Sequence, residues 1–139
     1  MGENMKIFIF IFILLSNITS AEILDIDRVR RVIDGDTIVV DLRCKPDILC
    51  KNMKIRLVGI DTPEIRTKDQ QIKTKGLIAK HQLKEEIRRG DYLELRKCSR
   101  GKYFRLVCDL RINGLSASEL MISGGYARYY DGGAKIVWK

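Results

Sequence analysis

Two runs of β-branched residues around a tight turn constrain the fold more than any other feature of this sequence. Residues 29–33 and residues 37–42 each have the composition of a β-strand. Asp34-Gly35-Asp36 lies between them and has the composition of a turn. The sequence therefore predicts two consecutive strands that carry carboxylates where they meet.

The rest of the sequence predicts three more strands and two helices. A third strand, residues 54–60, ends at Asp61-Thr62-Pro63, and residues 43–53 between the strands look like a loop. Residues 70–89 change to helical spacing, with Gly90 at the expected helix end. Residues 92–98 and 103–112 alternate like paired strands joined by a turn at residues 99–102.

A capping box at Ser116-Ala117-Ser118-Glu119 predicts a short second helix from Ala117 to about Ser123. The order of elements is five strands, with one helix after the third and one after the fifth. This order predicts an α+β fold that is mainly β, namely a five-stranded OB-fold barrel (the oligonucleotide/oligosaccharide-binding fold) with flanking helices.

The first residues have the layout of a secretory signal. Lys6 precedes an apolar run at residues 7–15, which leads to a small-residue cleavage motif at Thr19-Ser20-Ala21. The run is shorter than the roughly twenty residues that span a bilayer. We therefore expect residues 1–21 to be a signal peptide and residues 22–139 to form one domain, secreted or periplasmic. An uncleaved membrane anchor is the alternative.

Charge and cysteine content narrow the class of protein further. The formal net charge of +8 favours polyanionic partners such as nucleic acid or an anionic membrane surface. Cys44, Cys50, Cys98 and Cys108 are an even number of cysteines whose spacing does not match a zinc site. Three disulfide pairings are possible. We favour Cys44–Cys50 with Cys98–Cys108, and free buried thiols are the alternative.

Carboxylates at the predicted strand ends are candidate metal ligands. Asp36 and Asp61 offer hard oxygen atoms, which suit Ca²⁺ or Mg²⁺ better than zinc. His81, the one histidine, is mid-helix among polar neighbours, and we expect it to be exposed. Either aspartate alone could simply shape a turn. Their occurrence together with Glu64 and Arg56 favours a cation held next to a phosphate.

Two arginines in predicted strands point to phosphate binding. Arg56 shares its strand face with the apolar residues Val58 and Ile60, and Arg105 lies in a similar apolar strand. A guanidinium at such a position is expected to be paired or to face a ligand. Arginine can bind a phosphate in bidentate geometry, which lysine cannot do as well.

Three segments make the sequence resemble one known family. From about residue 29 to residue 130 the chain resembles the staphylococcal-type nucleases, or thermonucleases. The resemblance rests on Val32-Ile33-Asp34-Gly35-Asp36-Thr37, on Arg56-Leu57-Val58-Gly59-Ile60-Asp61-Thr62-Pro63-Glu64 and on Lys102-Tyr103-Phe104-Arg105. It implies an OB-fold domain that hydrolyses phosphodiester bonds of DNA or RNA with the help of Ca²⁺.

The resemblance also implies a role for each matching residue. Asp36 and Asp61 would bind Ca²⁺ through their carboxylates and Thr62 through its backbone carbonyl, while Asp34 would support the metal loop. Glu64 would be the general base or position the attacking water. Arg56 and Arg105 would stabilise the charge that develops on the phosphate, and Lys102 and Tyr103 would contact the substrate nucleotide.

The chain departs from the family pattern in four places, one of which is a shorter turn before Lys102. The loop that carries Cys44 and Cys50 is additional, Phe104 replaces a glycine, and the final helix of the type nuclease has no counterpart before Lys139. The tyrosines that flank the nucleotide in the family are not clearly matched, and Tyr129 and Tyr130 are the candidates.

The leading hypothesis is therefore an exported, monomeric, Ca²⁺-dependent nuclease of low sequence specificity that prefers single-stranded substrate and needs no protein partner. The alternative is a catalytically inactive module on the same barrel that only binds nucleic acid. A third interpretation, a structural envelope protein stabilised by Ca²⁺, leaves the arginine pair unexplained. Preference for DNA or RNA is left open by the sequence.

Overall fold

The computed structural model describes residues 22–139, so the predicted signal peptide, residues 1–21, lies outside the described residues. The strands are β1 (Ile23–Asp34), β2 (Thr37–Leu42), β3 (Met53–Leu57), β4 (Ile60–Asp61), β5 (Leu93–Arg100), β6 (Arg105–Ile112), β7 (Leu115–Ser116) and β8 (Arg128–Tyr129). The helices are α1 (Asp47–Cys50), α2 (Gln70–Arg89) and α3 (Ala117–Ser123). Within residues 22–139, none of these helices has the length and apolar character needed to cross a bilayer.

Five strands close into a barrel. They follow the order β3-β2-β1-β5-β6, with antiparallel neighbours, and a parallel pairing between β3 and β6 joins the two ends of the sheet. Helix α2 connects the two halves of the barrel and buries Ala79 and Leu83 against it. The predicted OB-fold barrel with flanking helices is confirmed.

The interior of the barrel is apolar, as the alternation in the strands predicts. Ile38, Ile55, Leu57, Leu95 and Leu110 have essentially no exposed surface. Their burial supplies the main stabilisation of the fold, since each large apolar side chain removed from water contributes about 1.5–3 kcal/mol. The same packing fixes the ends of β2 and β3, where the candidate site residues lie.

One charged residue is also fully buried in strand β2. Asp41 accepts hydrogen bonds from Nε of Arg28 at 2.8 Å, from Nε of Arg30 at 2.6 Å and from the backbone N–H of Asn52 at 2.9 Å. A buried carboxylate without such partners would be strongly destabilising. This cluster therefore ties β1, β2 and the segment before β3 together.

Both favoured disulfides are present. Cys44 pairs with Cys50 across the segment between β2 and β3, and Cys98 pairs with Cys108 across the β5–β6 hairpin. The first segment was predicted as a loop, but residues 47–50 form the single turn α1.

Several strand boundaries differ from the predictions, since β1 begins at Ile23 and not at residue 29, and β5 continues to Arg100 and not only to residue 98. The strand predicted at residues 54–60 is broken after Leu57, because Gly59 adopts a left-handed φ of 78° and β4 then pairs with β8 instead. Strand β6 begins at Arg105 and not at Tyr103, since Tyr103 and Phe104 have left-handed φ values of 57° and 55°. Extended backbone does not include such φ values.

The predicted capping box is wrong, although helix α3 forms where expected. Ser116 precedes the helix, but its side chain makes no capping hydrogen bond. Its hydroxyl donates instead to Asp109 Oδ1 at 2.8 Å, and Glu119 accepts a hydrogen bond from the Tyr129 hydroxyl. In a capping box the serine oxygen would accept a backbone N–H, whereas here the hydroxyl donates a strong hydrogen bond to a charged carboxylate, so the tertiary contact prevails over the local motif.

Candidate active site

The turn between β1 and β2 brings Asp36 against the segment that follows β4. A side chain at Gly35 would lie 2.7 Å from Ala79 Cβ and 2.8 Å from Thr62 Cγ2, so only glycine allows this approach. Asp36 Oδ2 consequently accepts hydrogen bonds at 3.2 Å from both the backbone N–H and the hydroxyl of Thr62. Asp36 and Thr62 are therefore adjacent and buried.

Arg56 bridges the two aspartates. Its Nη1 lies 2.6 Å from Asp36 Oδ1, and its Nη2 lies 2.9 Å from the carbonyl oxygen of Ile60 and 3.5 Å from Asp61 Oδ1. The ordered pairing of Thr37 with Arg56 in the β2–β3 ladder produces this arrangement. Burial is the largest single effect and acts to lower the pKa of Arg56, but the charge of Asp36, its hydrogen bond and the charges of Asp61 and Asp34 together raise the pKa above its ordinary value.

Asp61 lies at the end of β4 and contacts the C-terminal part of the chain. Its Oδ2 accepts a hydrogen bond from the indole Nε1 of Trp138 at 2.9 Å. The Trp138 ring in turn stacks on the guanidinium of Arg128, which lies opposite Asp61 in the β4–β8 ladder, at 4.4 Å from the ring centroid. Asp61 is thus held from both sides, by Arg56 and by Trp138.

Glu64 is the exposed carboxylate of the cluster. It follows the short segment that packs on α2, where a side chain at Gly76 would meet the carbonyl oxygen of Pro63 at 2.6 Å. Its Oε1 lies 2.6 Å from Nζ of Lys135. The hydrogen bond to Glu64 raises the pKa of Lys135.

Arg105 lies on the strand next to Arg56. In the parallel β3–β6 pairing, Arg105 is opposite Lys54 and Val107 is opposite Arg56, so both arginines belong to the same face of the sheet. Nε of Arg105 is buried and has no hydrogen-bond partner within residues 22–139. A buried N–H group without a partner is costly, which makes this donor a candidate for ligand binding.

The β5–β6 hairpin presents the predicted substrate-binding residues just before Arg105. Lys102 and Tyr103 lie at its tip, and 86% of the Tyr103 surface is exposed. Phe104 is 98% exposed. The tip therefore presents a cation and two aromatic rings beside the candidate catalytic arginine.

The structure also locates four other residues that the sequence analysis named, Asp34, Tyr129, Tyr130 and His81. Asp34 Oδ1 accepts the backbone N–H of Asp36 at 3.1 Å, so it supports the turn. Burial, and then the charge of Asp36, raises the pKa of Asp34 to about 6. Of the two tail tyrosines, Tyr130 contacts the cluster, with its ring centroid 5.7 Å from Arg56 Cζ, and Tyr129 binds Glu119. His81 is exposed on α2.

The donor atoms of this cluster fit a hard divalent cation. Asp36, Asp61 and Thr62 provide only oxygen ligands, which calcium prefers. Within the part of the chain that the structure describes, no three His, Cys, Asp or Glu side chains converge on a point that could hold a metal. A calcium ion has about six to eight ligands, so most would come from backbone, water or a bound phosphate.

The sequence interpretation missed Lys135 and Trp138. Neither belongs to a motif, and their contacts with Glu64 and Asp61 depend on how the segment after β8 packs. Two features of the sequence could have drawn attention to them. Trp138 is the single tryptophan of the chain, and Lys135 follows shortly after Gly132-Gly133. These signals do not indicate which residues they would contact.

Comparison with known proteins identifies the family. No individual curated protein matched the sequence significantly. A family model described as "Staphylococcal nuclease homologue" matches residues 54–135, which include Arg56, Asp61, Glu64 and Arg105. The match covers more than half of the chain and agrees with the barrel and its strand-end carboxylates. The chain therefore belongs to the staphylococcal nuclease homologues, a nuclease-type family.

Proposed function

We propose that this protein is an exported, Ca²⁺-dependent nuclease that hydrolyses phosphodiester bonds of DNA or RNA with low sequence specificity. One observation carries the proposal above the others. Arg56 is held between two buried carboxylates at strand ends, one of which also contacts Thr62, while Arg105 lies on the same face of the neighbouring strand. This combination supports a site in which Asp36 and Asp61 would bind a cation and the two arginines would bind a phosphate.

Asp36, Asp61 and the Thr62 carbonyl would hold the calcium ion. When bound, the ion supplies positive charge that offsets the negative charge of the phosphodiester. Arg56 alone cannot neutralise both carboxylates, because one guanidinium carries one positive charge. The two aspartates therefore leave a net negative site that favours a cation.

Glu64 is the residue best placed to act on water. It is exposed, in contrast to the buried aspartates, so a water molecule can reach it. As a carboxylate it can accept a proton from that water or hold it in position. Lys135, which occupies one of its oxygens, would have to move away or share it.

Arg56 and Arg105 would act on the phosphate. Their guanidinium groups donate several hydrogen bonds in fixed geometry, and the buried Nε of Arg105 has no protein partner among residues 22–139. Fixed donors directed at developing negative charge contribute about 3 kcal/mol each to lowering a barrier. The pair could therefore account for a large part of the rate enhancement.

Lys102 and Tyr103 would bind the substrate, helped by the net positive charge of the protein. These contacts do not depend on the nucleotide sequence. The net charge of +8 attracts the phosphate backbone, and this attraction weakens as salt increases. Exposed aromatic rings such as Tyr103 can stack on unpaired bases. We therefore propose a preference for single-stranded nucleic acid and a monomeric enzyme that needs no protein partner.

The alternative function is a module that binds nucleic acid without cleaving it. The ion pair between Glu64 and Lys135 favours this alternative, because it occupies the candidate general base. This alternative predicts that the protein binds nucleic acid, with or without Ca²⁺, and does not hydrolyse it.

Hydrolysis of denatured DNA and of RNA, in Ca²⁺ and in chelator, separates the two functions. The nuclease predicts cleavage that needs Ca²⁺ and that falls at least about 100-fold in Glu64→Gln. Glu85→Gln, on the far part of α2, is the matched control and should retain full activity. Binding without cleavage in Ca²⁺ would establish the module instead. Mass spectrometry of the protein recovered outside the cell tests export and a mature N-terminus at Glu22.

A further inference from the structure

The C-terminal segment formed by residues 135–138, here called the tail segment, contacts two carboxylates of the candidate site. Lys135 contacts Glu64 at 2.6 Å, and Trp138 donates its indole N–H to Asp61 at 2.9 Å. The two contacts lie on the residues proposed for water activation and for cation binding. The tail segment therefore contacts the centre of the candidate site.

All four carboxylate oxygens of the two buried aspartates already accept hydrogen bonds. Asp36 Oδ1 accepts from Arg56 and Thr37, and Asp36 Oδ2 accepts from Thr62. Asp61 Oδ1 faces Arg56, and Asp61 Oδ2 faces Trp138. A cation that binds both residues must share or displace at least one of these donors.

Trp138 is the donor most easily displaced. Arg56 is anchored in the barrel by Asp36, by the Ile60 carbonyl and by its own strand, and its side chain is only 16% exposed. Trp138 lies in a segment without regular secondary structure and packs on Arg128, which is exposed. Moving Trp138 breaks one hydrogen bond to Asp61 and its stacking on Arg128, whereas moving Arg56 breaks its ion pairs with both aspartates inside the barrel wall.

We propose that the tail segment competes with the divalent cation, so that cation binding at Asp61 releases Trp138 and frees Glu64 from Lys135. This inference rests on the proposed function, because it takes Asp61 as a cation ligand. The tail segment would then keep the site closed at low Ca²⁺ and open it when Ca²⁺ is abundant.

The single tryptophan allows a direct test in the unmodified full chain. Trp138 emission is measured during a Ca²⁺ titration. Release of the indole from Asp61 and Arg128 into water predicts a saturable red shift and easier quenching by acrylamide. This measurement needs no substitution and no activity assay.

Thermal melting at increasing Ca²⁺ gives a second, independent test. Trp138→Phe removes the competing N–H and should lower the Ca²⁺ concentration for half-maximal stabilisation about 10-fold, as expected for loss of one hydrogen bond to a charged group. Lys135→Gln should lower it by a smaller factor. Val137→Ala is the matched control within the tail segment, since Val137 is 75% exposed, and it should leave the value unchanged.

The outcomes separate this inference from the proposed function. The four proteins are the parent and the three variants. If all four bind Ca²⁺ with equal strength, and Trp138 emission in the parent stays constant, the competition is overturned and the nuclease proposal stands. Looser Ca²⁺ binding in Trp138→Phe would also overturn it, because the indole would then support the cation. Absence of Ca²⁺ binding in every protein would overturn both this inference and the calcium requirement.

Discussion

Nη1 of Arg56 lies 2.6 Å from Oδ1 of Asp36, so the guanidinium is the nearest positive charge to this buried carboxylate. Asp61 approaches the other side of the same guanidinium, with Oδ1 at 3.5 Å from Nη2. One positive charge is thus shared by two carboxylates that are both buried. A further cation bound at the site would offset the remaining negative charge and stabilise the folded protein.

Replacement of Arg56 by Met should make the protein depend on calcium for stability. In chelator, Asp36 and Asp61 would be left without a counter-charge, and the free energy of unfolding should fall by about 3 kcal/mol. Added Ca²⁺ should restore more stability in the variant than in the parent, because the ion becomes the main counter-charge. Urea unfolding in chelator and in excess Ca²⁺ measures both quantities.

The exposed Arg31 on β1 offers a control for this experiment. Arg31→Met should change stability little and equally in both conditions. An equal calcium effect in Arg56→Met and in the parent would show that the two aspartates do not share a cation site.

Replacement of Arg105 by Met should separate activity from stability. The variant removes a buried Nε donor that has no partner in the described part of the chain, so the free energy of unfolding should stay the same or rise by about 1 kcal/mol. Under the proposed function, hydrolysis should nevertheless fall about 100-fold or more. Urea unfolding and steady-state hydrolysis of denatured DNA give the two values. A large loss of stability would mean that Arg105 serves the fold and not the substrate.

Replacement of Gly35 by Ala should destabilise the protein and disturb the site together. The new methyl group would lie 2.7 Å from Ala79 Cβ and 2.8 Å from Thr62 Cγ2. Overpacking of this kind costs about 1–3 kcal/mol, and moving Thr62 away would also weaken its two hydrogen bonds to Asp36. The test compares urea unfolding with Ca²⁺ affinity. If stability and Ca²⁺ affinity were both unchanged, the turn would not pack against Thr62 as described.

Replacement of Asp41 by Asn should flatten the acid dependence of stability. The hydrogen bond from Arg30 is the main reason why the pKa of Asp41 lies well below its usual value. A depressed pKa in the folded state stabilises the fold above the unfolded value of about 3.9, and this stabilisation is lost as the pH falls from there towards the folded value. An asparagine side chain does not titrate, so the variant should be less stable at pH 7 but lose less stability on acidification.

Urea unfolding between pH 7 and pH 3 measures this difference. Asp91→Asn, at an exposed aspartate, is the control and should keep the acid dependence of the parent. An Asp41→Asn curve parallel to that of the parent would show that Asp41 is not paired with Arg28 and Arg30.

The parts of the fold that depend on local pattern were predictable from the sequence. Strand β2, with all six residues buried, follows from its β-branched composition, and α2 follows from helical spacing that ends before Gly90. The disulfide pairing was favoured among three possibilities. In each case the residues that decide the structure are near one another in the chain.

Features that depend on distant residues were not predictable in the same way. The hydroxyl of Ser116 binds Asp109, seven residues earlier on β6, which no local capping rule anticipates. The contact of Trp138 with Asp61 joins residues 77 positions apart and requires the packed tail segment. The candidate site residues of the barrel were named from motif and resemblance, whereas the contacts of the tail segment required coordinates.

The parallel pairing of β3 with β6 also determines when the two arginines come to share one face of the sheet. Arg56 precedes α2 in the chain and Arg105 follows it, so a polypeptide synthesised only as far as α2 contains the first guanidinium and lacks the second. Under the proposed function, a nascent chain would therefore be unable to cleave the messenger that encodes it. Nuclease capacity would arise only after the ribosome has delivered the strand that closes the barrel.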